Sequence, residues 1–515
     1  MDDERRDLER ATVLVEDGEI VAVGSNVEIP VGSRVIEAAG RAVIPGLVNA
    51  HTHVPQILLR GGYSHDRPLY EWLYNVLYPG LSVYENDDIR CATLLFATEA
   101  LMNGVTTIVD NEDAGTRSMV STAASTVEAL VESGIRAVYA RMFADQPAPG
   151  FEDYLGAVRA KAPDVPDSDI FVDTDRVLAD LDEIVRRYDR AGEGRIRVWP
   201  SPAIPGIVSR RALQRSRQIA RERGTMWTMH VAEDERERVQ HMMGAVEYLD
   251  SVGALDERLL AAHCIDVSDR EIRLLAESGT RVSTQPASNA FLGAGVAPVP
   301  RMLRAGIPMG IGTDDANCSD AVDLFGSMKL LALLHRAVSR DPGAISPQRV
   351  VEMATIEGAR VLGMDDLIGS IEVGKRADLV ILDLEEPRMT PAADLYAALV
   401  FLQPTVASTV GSSSNAAFLP SLALTATSRP WCGRPRSVPA ASRTAHDSRW
   451  ADERRRASRA QRAGRGGLEV VPAEARSVGP GDQAGRPGDR RGGVRRAHRP
   501  VGLGEVDDLA DDCRT

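Results

Sequence analysis

The chain has 515 residues, 43% hydrophobic and 26% charged, the balance of a globular protein with a sizeable core. No run of 18 apolar residues offers a transmembrane helix, and the opening MDDERRDLER lacks the apolar stretch of a signal peptide, so a cytoplasmic protein with no membrane partner is expected. The formal net charge is −14, but residues 402–515 hold 19 Arg, no Lys and 12 acidic residues, which leaves −21 on residues 1–401. An acidic body argues against nucleic acid as a partner. Cys91, Cys264, Cys318, Cys432 and Cys513 are few and scattered, so neither a disulfide framework nor a thiolate zinc knuckle is expected.

Along the chain, TVLVEDGEIVAVG (residues 12–24) places two apolar runs around Asp17-Gly18, a hairpin signal. RVIEAAGRAVIPGLVNAHTH then predicts two more strands that end in a His-x-His. From there strands alternate with helices: TTIVDN, a helix over 118–133, IRAVYARM, RIRVWPSP, a helix over 209–223, TMWTMHVAED, LLAAHC, TRVSTQP and IPMGIGTDD. Nearly continuous apolar strands alternating with helices predict a parallel sheet closed into a (β/α)8 TIM-type barrel, an α/β fold spanning residues 44–363. Helices are predicted over 322–338 and 347–363. GSIEVGKRADLVILDL (369–384) reads as strand-turn-strand and resembles the opening segment. Residues 1–43 and 364–401 therefore read as one small β-domain built from both ends of the chain. After Phe401 the pattern fails. Residues 402–515 are rich in Arg, Gly, Ala, Ser and Pro without periodicity, and are expected to be a disordered or frameshifted tail.

Chemistry concentrates at the strand ends. Successive side chains in a strand alternate, so the imidazoles of His51 and His53 face one way and make half a metal site. His230 ends TMWTMH, His263 ends LLAAHC and Asp314 ends IPMGIGTDD. Taken singly, each has a plainer role: surface histidines, a core histidine beside Cys264, a helix N-cap. Together they place four of the nine histidines at strand C-termini. Imidazoles with one carboxylate suit zinc or ferrous iron, with a position left for water. Glu233, three residues beyond His230, is placed to reach that water and move a proton. A metal lowers the pKa of its water to about 7, which supplies hydroxide.

The spacing HxH … His-x-x-Glu … His … Asp, flanked by VIPGLVNAHTH and GSIEVGKRADLVILD, resembles the amidohydrolase superfamily. HTHVPQILLRGGYSHDRPLYEWLYNVLYPGL, STQPASN and GIGTDDANCSD resemble its s-triazine hydrolase subgroup, in the group that also holds atrazine chlorohydrolase, melamine deaminase and the S-adenosylhomocysteine deaminases. The resemblance runs from about residue 11 to Phe401. It implies one divalent metal, zinc or else iron, held by His51, His53, His230 and Asp314, with Glu233 as proton shuttle and His263 polarising water or touching substrate. It points to Glu99 and Arg141 as substrate contacts. Gln285 and Asn289 are candidate amide donors to ring nitrogens. The related adenosine-type deaminases carry a His after Gly-Pro where this chain has Trp199-Pro200-Ser201-Pro202-Ala203, and His-Asn-Pro where it has Thr284-Gln285-Pro286. Both departures favour a ring smaller than a nucleoside.

The expected function is hydrolytic removal of an amino or chloro group from an s-triazine by metal-hydroxide attack at a ring carbon. The expected partners are a small heteroaromatic substrate and water, in a homo-oligomer as among relatives. One alternative is a deaminase of another amino-heterocycle, such as a pterin, guanine-like or adenosine-like ring. Another is a non-catalytic product of a frameshifted gene. The family begins with a strand that precedes the opening seen here, and its later strands do not follow Phe401, so a frame change near residues 401–403 is expected.

Overall fold

The structure is a computed structural model that describes residues 7–61, 67–113, 119–146, 173–319, 321–391, 393–410 and 421–425. All of these lie in one compact unit, Met1–Arg434. No helix among them is long and apolar enough to cross a membrane.

The first strands are β1 (Thr12–Glu16), β2 (Glu19–Gly24), β3 (Arg34–Glu37) and β4 (Arg41–Pro45). β1 and β2 form the predicted hairpin. Asp17 and Gly18 both take positive φ (49° and 74°) between the paired Glu16 and Glu19, the backbone of a two-residue turn whose twist matches its strands.

Eight parallel strands follow. β5 (Leu47–Thr52), β6 (Val105–Glu112), β7 (Arg136–Phe143) and β8 (Ile196–Pro202) pair in that order. β9 (Trp227–Val231), β10 (Leu259–His263), β11 (Arg281–Thr284) and β12 (Met309–Ile311) form the second parallel set. Hydrogen bonds cross both seams between the sets: His230 N–H to Ala203 O (3.0 Å) and Asp314 N–H to His51 O (3.0 Å). The second seam depends on Gly312, where an added Cβ would lie 2.6 Å from His51 O. The arrangement is consistent with a TIM-type barrel. β5, β6, β9 and β10 are buried along their whole length, as strands covered on both faces must be.

The helices sit close to their predicted places. Met119–Ser133 and Arg210–Arg223 match, the latter capped by the Ser209 side chain on Ala212 N–H and ended by Gly224 at φ 65°. Leu324–Ser339 also matches. The single helix predicted over 347–363 is instead two, Pro347–Met353 and Ile356–Val361. Strand β5 is the cause: its Val48 N–H takes the Ala354 carbonyl at 2.8 Å, out of the helical ladder.

β13 (Leu379–Asp383) and β14 (Val406–Val410) make an antiparallel sheet with β4, in the order β14-β13-β4. β15 (Ser421–Thr425) pairs with β1 and β3. Segments from both ends of the chain thus share sheets. Of the strand-turn-strand read over 369–384, only the second strand forms. The first half joins the hairpin through Gly374 N–H to Ile20 O (2.8 Å) and Ile20 N–H to Lys375 O (2.8 Å). Strand pairing also continues past Phe401, where the sequence pattern ended, because five residues of VASTV become a strand only beside the edge of β13. The rest of the expected tail, residues 411–420 and 426–515, lies outside the described residues.

Candidate active site

Four imidazoles and one carboxylate converge at the C-terminal ends of these strands. β5 delivers His51 and, one step past its end, His53; β9 delivers His230 and β10 His263. Asp314 follows β12. Their rings cluster, with the His51 centroid 5.0 Å from His53, 4.8 Å from His230 and 5.2 Å from His263. Asp314 Oδ1 lies 3.5 Å from His51 Nε2 and 3.4 Å from His53 Nε2, while Oδ2 lies 3.8 Å from His263 Nε2. His53 Nε2 is 3.1 Å from His230 Nε2, and Glu233 Oε2 is 3.7 Å from His263 Nε2.

The backbone bends sharply to achieve this. His263 (φ 71°), Asp314 (φ 65°) and Ala232 (φ 52°) all occupy the left-handed region, which costs energy for residues with a Cβ. Such outliers persist where surrounding structure enforces them, and here they lie at the three strand ends that aim His263, Asp314 and Glu233.

Three of the imidazoles are oriented by acceptors behind them. His53 Nδ1–H donates to Asn111 O (2.6 Å), His230 Nδ1–H to Ala203 O (3.1 Å) and His263 Nδ1–H to Asn289 Oδ1 (2.9 Å). Each bond turns Nε2 inward, the usual outer support of a metal-ligating histidine. His51 Nε2 and His263 Nε2 are buried with no hydrogen-bond partner. Three overlapping triads each bring their ligand atoms within 4.8 Å: His51/His230/His263, His51/His53/Asp314 and Glu233/His263/Asp314. Orphaned nitrogens converging on one carboxylate are a donor set that fits a divalent cation.

The electrostatics agree. Burial lowers the His51 pKa to about 4, lowers that of His53, and drives His230 well below the usual imidazole range, with the neighbouring imidazoles adding to the effect. Neutral imidazoles are the form that binds metal. Burial pushes Asp314 up, but the close approach of His51 and the surrounding imidazoles outweigh it and hold the carboxyl well below its ordinary value. Burial, followed by the charges of Asp314 and Asp234, raises Glu233 well above the usual carboxylate range. One carboxylate is thus kept ionised and its neighbour is made able to carry a proton.

The remaining sequence candidates each have partners within the protein. Gln285 accepts the His263 N–H through Oε1 (2.9 Å) and donates through Nε2 to Ser283 Oγ (2.9 Å), so both ends of its amide hold the protein. Asn289 accepts from His263, as above. Glu99, on the helix Asn86–Met102, pairs with Arg60 (2.6 Å) and accepts Val322 N–H (2.9 Å), tying that helix to the segments at Arg60 and Val322. Arg141 is buried on Glu112, donating to its carbonyl (2.8 Å) and lying 3.3 Å from its carboxylate.

Sequence reasoning missed Asn111 and Glu237. Asn111 serves two of the histidines, and its only sequence signal is a polar residue at the end of TTIVDN. Glu237 accepts the backbone N–H of Ala232 (3.0 Å), Glu233 (2.8 Å) and Asp234 (3.4 Å). Its signal is an acid four residues past Glu233, hidden in a charged run.

Residues 42–412 match the family described as the amidohydrolase family. The chain belongs to the amidohydrolase family. Over 272 residues this amidohydrolase is 52% identical to the S-triazine hydrolase of Gordonia rubripertincta, a match that covers 53% of this chain and 57% of that relative. It is 35% identical over 404 residues to a 5-methylthioadenosine/S-adenosylhomocysteine deaminase of Symbiobacterium thermophilum, covering 76% of this chain and 85% of the relative. The crystal structure of atrazine chlorohydrolase from Arthrobacter aurescens complexed with zinc superposes with a TM-score of 0.72 at 25% identity, covering 80% of this chain and 92% of that one. The amidohydrolase thus matches enzymes that hydrolyse triazines and enzymes that deaminate nucleosides, and its His/Asp cluster fits a metal such as the zinc bound in that structure.

Proposed function

We propose that this amidohydrolase removes the amino group of amino-s-triazines, with chloro-s-triazines as a second substrate class. The 52% identity to S-triazine hydrolase carries the substrate class. Residues His51, His53, His230 and Asp314 would hold one divalent ion; the donor set suits zinc or iron, and the zinc in the atrazine chlorohydrolase structure favours zinc. When bound, such an ion supplies Lewis acidity that lets water ionise near neutral pH.

The protein groups do the rest. Glu233, raised in pKa beside His263, takes a proton from water and passes it to a ring nitrogen, so that charge does not accumulate on the ring. Water oxygen bonds to the ring carbon, the proton held on the ring nitrogen is returned through Glu233 to the amino group, and the C–N bond breaks to release ammonia and leave the hydroxytriazine. Chloride needs no proton to leave. His263, held by Asn289 and by Gln285, stands between Glu233 and Asp314 and orients the attacking water.

The test is ammonia release from melamine and other aminotriazines by the purified, metal-loaded chain. Metal bound at one per chain with no ammonia from any of them would defeat the reading. A second reading, deamination of a 5′-thioadenosine-type nucleoside, is favoured by the 85% coverage of the deaminase relative. Turnover of 5′-methylthioadenosine without turnover of melamine would establish it instead. We further take residues 1–43 and 364–401 as one small β-domain around a barrel of 44–363, in a cytoplasmic homo-oligomer. The Arg-, Gly-, Ser- and Pro-rich composition of residues 402–515 supports a change of frame near 401–403, which translation of the other two frames tests directly.

A further inference from the structure

β5 and β9 are the first and fifth of eight strands, so they stand on opposite sides of the ring. The chain segments that follow them nevertheless meet. After β5, residues Leu69–Ser82 form a strap of three short helical pieces, Leu69–Trp72, Leu73–Leu77 and Tyr78–Ser82. The middle piece is wound as a π-helix, a rare form that collects at functional segments. After β9, three residues beyond Glu233, Arg236 opens the helix Arg236–His241. Its guanidinium lies over the Tyr70 ring, 4.9 Å from the centroid. A contact between segments that leave opposite strands crosses the mouth of the barrel, from the side of His51 and His53 to the side of Glu233.

The strap is seated differently at its two edges. Leu69, Trp72, Leu77 and Leu81 are buried with Leu292 and Cys318 in an apolar cluster separate from the barrel core. Leu292 follows the helix Pro286–Phe291, which carries Asn289, the partner of His263. Cys318 lies on the helix Ala316–Ser319, just past Asp314. One edge of the strap thus packs by hydrophobic burial onto the segments after β11 and β12. The contact toward β9 is of another kind. The Arg236 side chain is 54% exposed and also lies 3.8 Å from Asp234 in its own turn. A cation over an aromatic ring at such an exposed place is a weak bond that parts and re-forms readily. Arg236 adjoins Glu237, whose carboxylate accepts the Glu233 N–H, so the contact bears on the turn that carries the proton shuttle.

We propose that Leu69–Ser82 is a cover over the active site, and that Tyr70 and Arg236 are its clasp. The clasp parts to admit substrate and release product, and closes to shield Glu233 from bulk water. Both are positioning residues, since neither is among the groups that converge on the reacting centre. The proposal goes beyond the substrate assigned above, because a cover of this kind serves a triazine or a nucleoside alike.

The experiment follows opening in the full chain by two rates read in peptide mass spectra: amide hydrogen exchange of residues 69–82, and alkylation of Cys318 by N-ethylmaleimide. Cys318 is fully buried against the strap, so a lifted cover exposes it. Arg236→Ala and Tyr70→Leu are each expected to speed both rates about 2- to 5-fold. The double variant is expected to go no further than either single one, because all three lose the same contact. Exchange in β6 and β7 is expected to match the wild type. Unchanged rates in the single variants, or effects that multiply in the double, would overturn the clasp. A rise shared equally by β6 and β7 would make the contact a general stabiliser and defeat the proposal. Faster exchange of 69–82 with Cys318 alkylation unmoved would show that the strap does not cover that side of the site. If Tyr70→Leu does not fold, Arg236→Lys replaces it: lysine keeps a cation over the ring, and rates as fast as those of Arg236→Ala would sink the clasp. Neither rate needs substrate or added metal, so a chain that meets these expectations and releases no ammonia fails the triazine reading alone.

Discussion

Glu237 holds Glu233 by its backbone. One oxygen of the Glu237 carboxylate accepts the Glu233 N–H at 2.8 Å, and the other accepts the N–H of Ala232 at 3.0 Å. Ala232 sits at φ 52°, so the bend that swings Glu233 off the end of β9 is paired with a buried acid that ties it down. Glu237→Ala is expected to lower kcat about 10- to 100-fold through misplacement of Glu233, with zinc content unchanged. Steady-state ammonia release and metal analysis of one preparation check this, and an unaltered kcat would refute it.

The same residue makes stability depend on pH. Burial pushes the Glu237 pKa up to about 7 from 4.5, partly offset by the backbone N–H groups it accepts. Between those two values the folded chain binds more protons than the unfolded one, so this group's contribution to stability falls as pH rises from about 4.5 to about 7. The full loss is at most about 3 kcal/mol. Urea denaturation at pH 5 and pH 7.5 is expected to show a smaller fall for Glu237→Gln than for the wild type. Parallel curves for the two proteins would exclude Glu237 as the source.

Removing the proton carrier separates chemistry from binding. Glu233→Gln is expected to cut turnover of melamine by about 10²- to 10⁴-fold while one zinc per chain is retained. Loss of zinc together with activity would make Glu233 a ligand rather than a shuttle.

The seam between β12 and β5 leaves no room at Gly312. A methyl group there would stand 2.6 Å from His51 O and 2.9 Å from His51 Cβ. Gly312→Ala is expected to cost about 1–3 kcal/mol of stability and to weaken zinc binding, because relief of the clash moves His51. Chemical denaturation and zinc titration measure the two effects, and an unchanged zinc affinity would show that the strand, rather than the ligand, gives way.

The sequence by itself determined the alternation of strands and helices, the Asp17-Gly18 hairpin and the positions of His51, His53, His230, His263, Asp314 and Glu233. These are legible because strand and helix periods are local, and because histidine is rare enough in this chain for its placement at strand ends to stand out. Tertiary structure decided the partners. Gln285 and Asn289 read as substrate contacts, yet the barrel turns them onto His263, because the end of β10 bends at φ 71° and needs an acceptor for both its backbone and its ring. Arg141 and Glu99 are engaged by Glu112, Arg60 and the loop at Val322, none of them near in sequence except through the fold. β14 becomes a strand only because β13 offers it an edge. The candidate ligands are written as single residues, whereas the hydrogen bonds that aim their rings join positions tens of residues apart, and only folding brings them within 3 Å of one another.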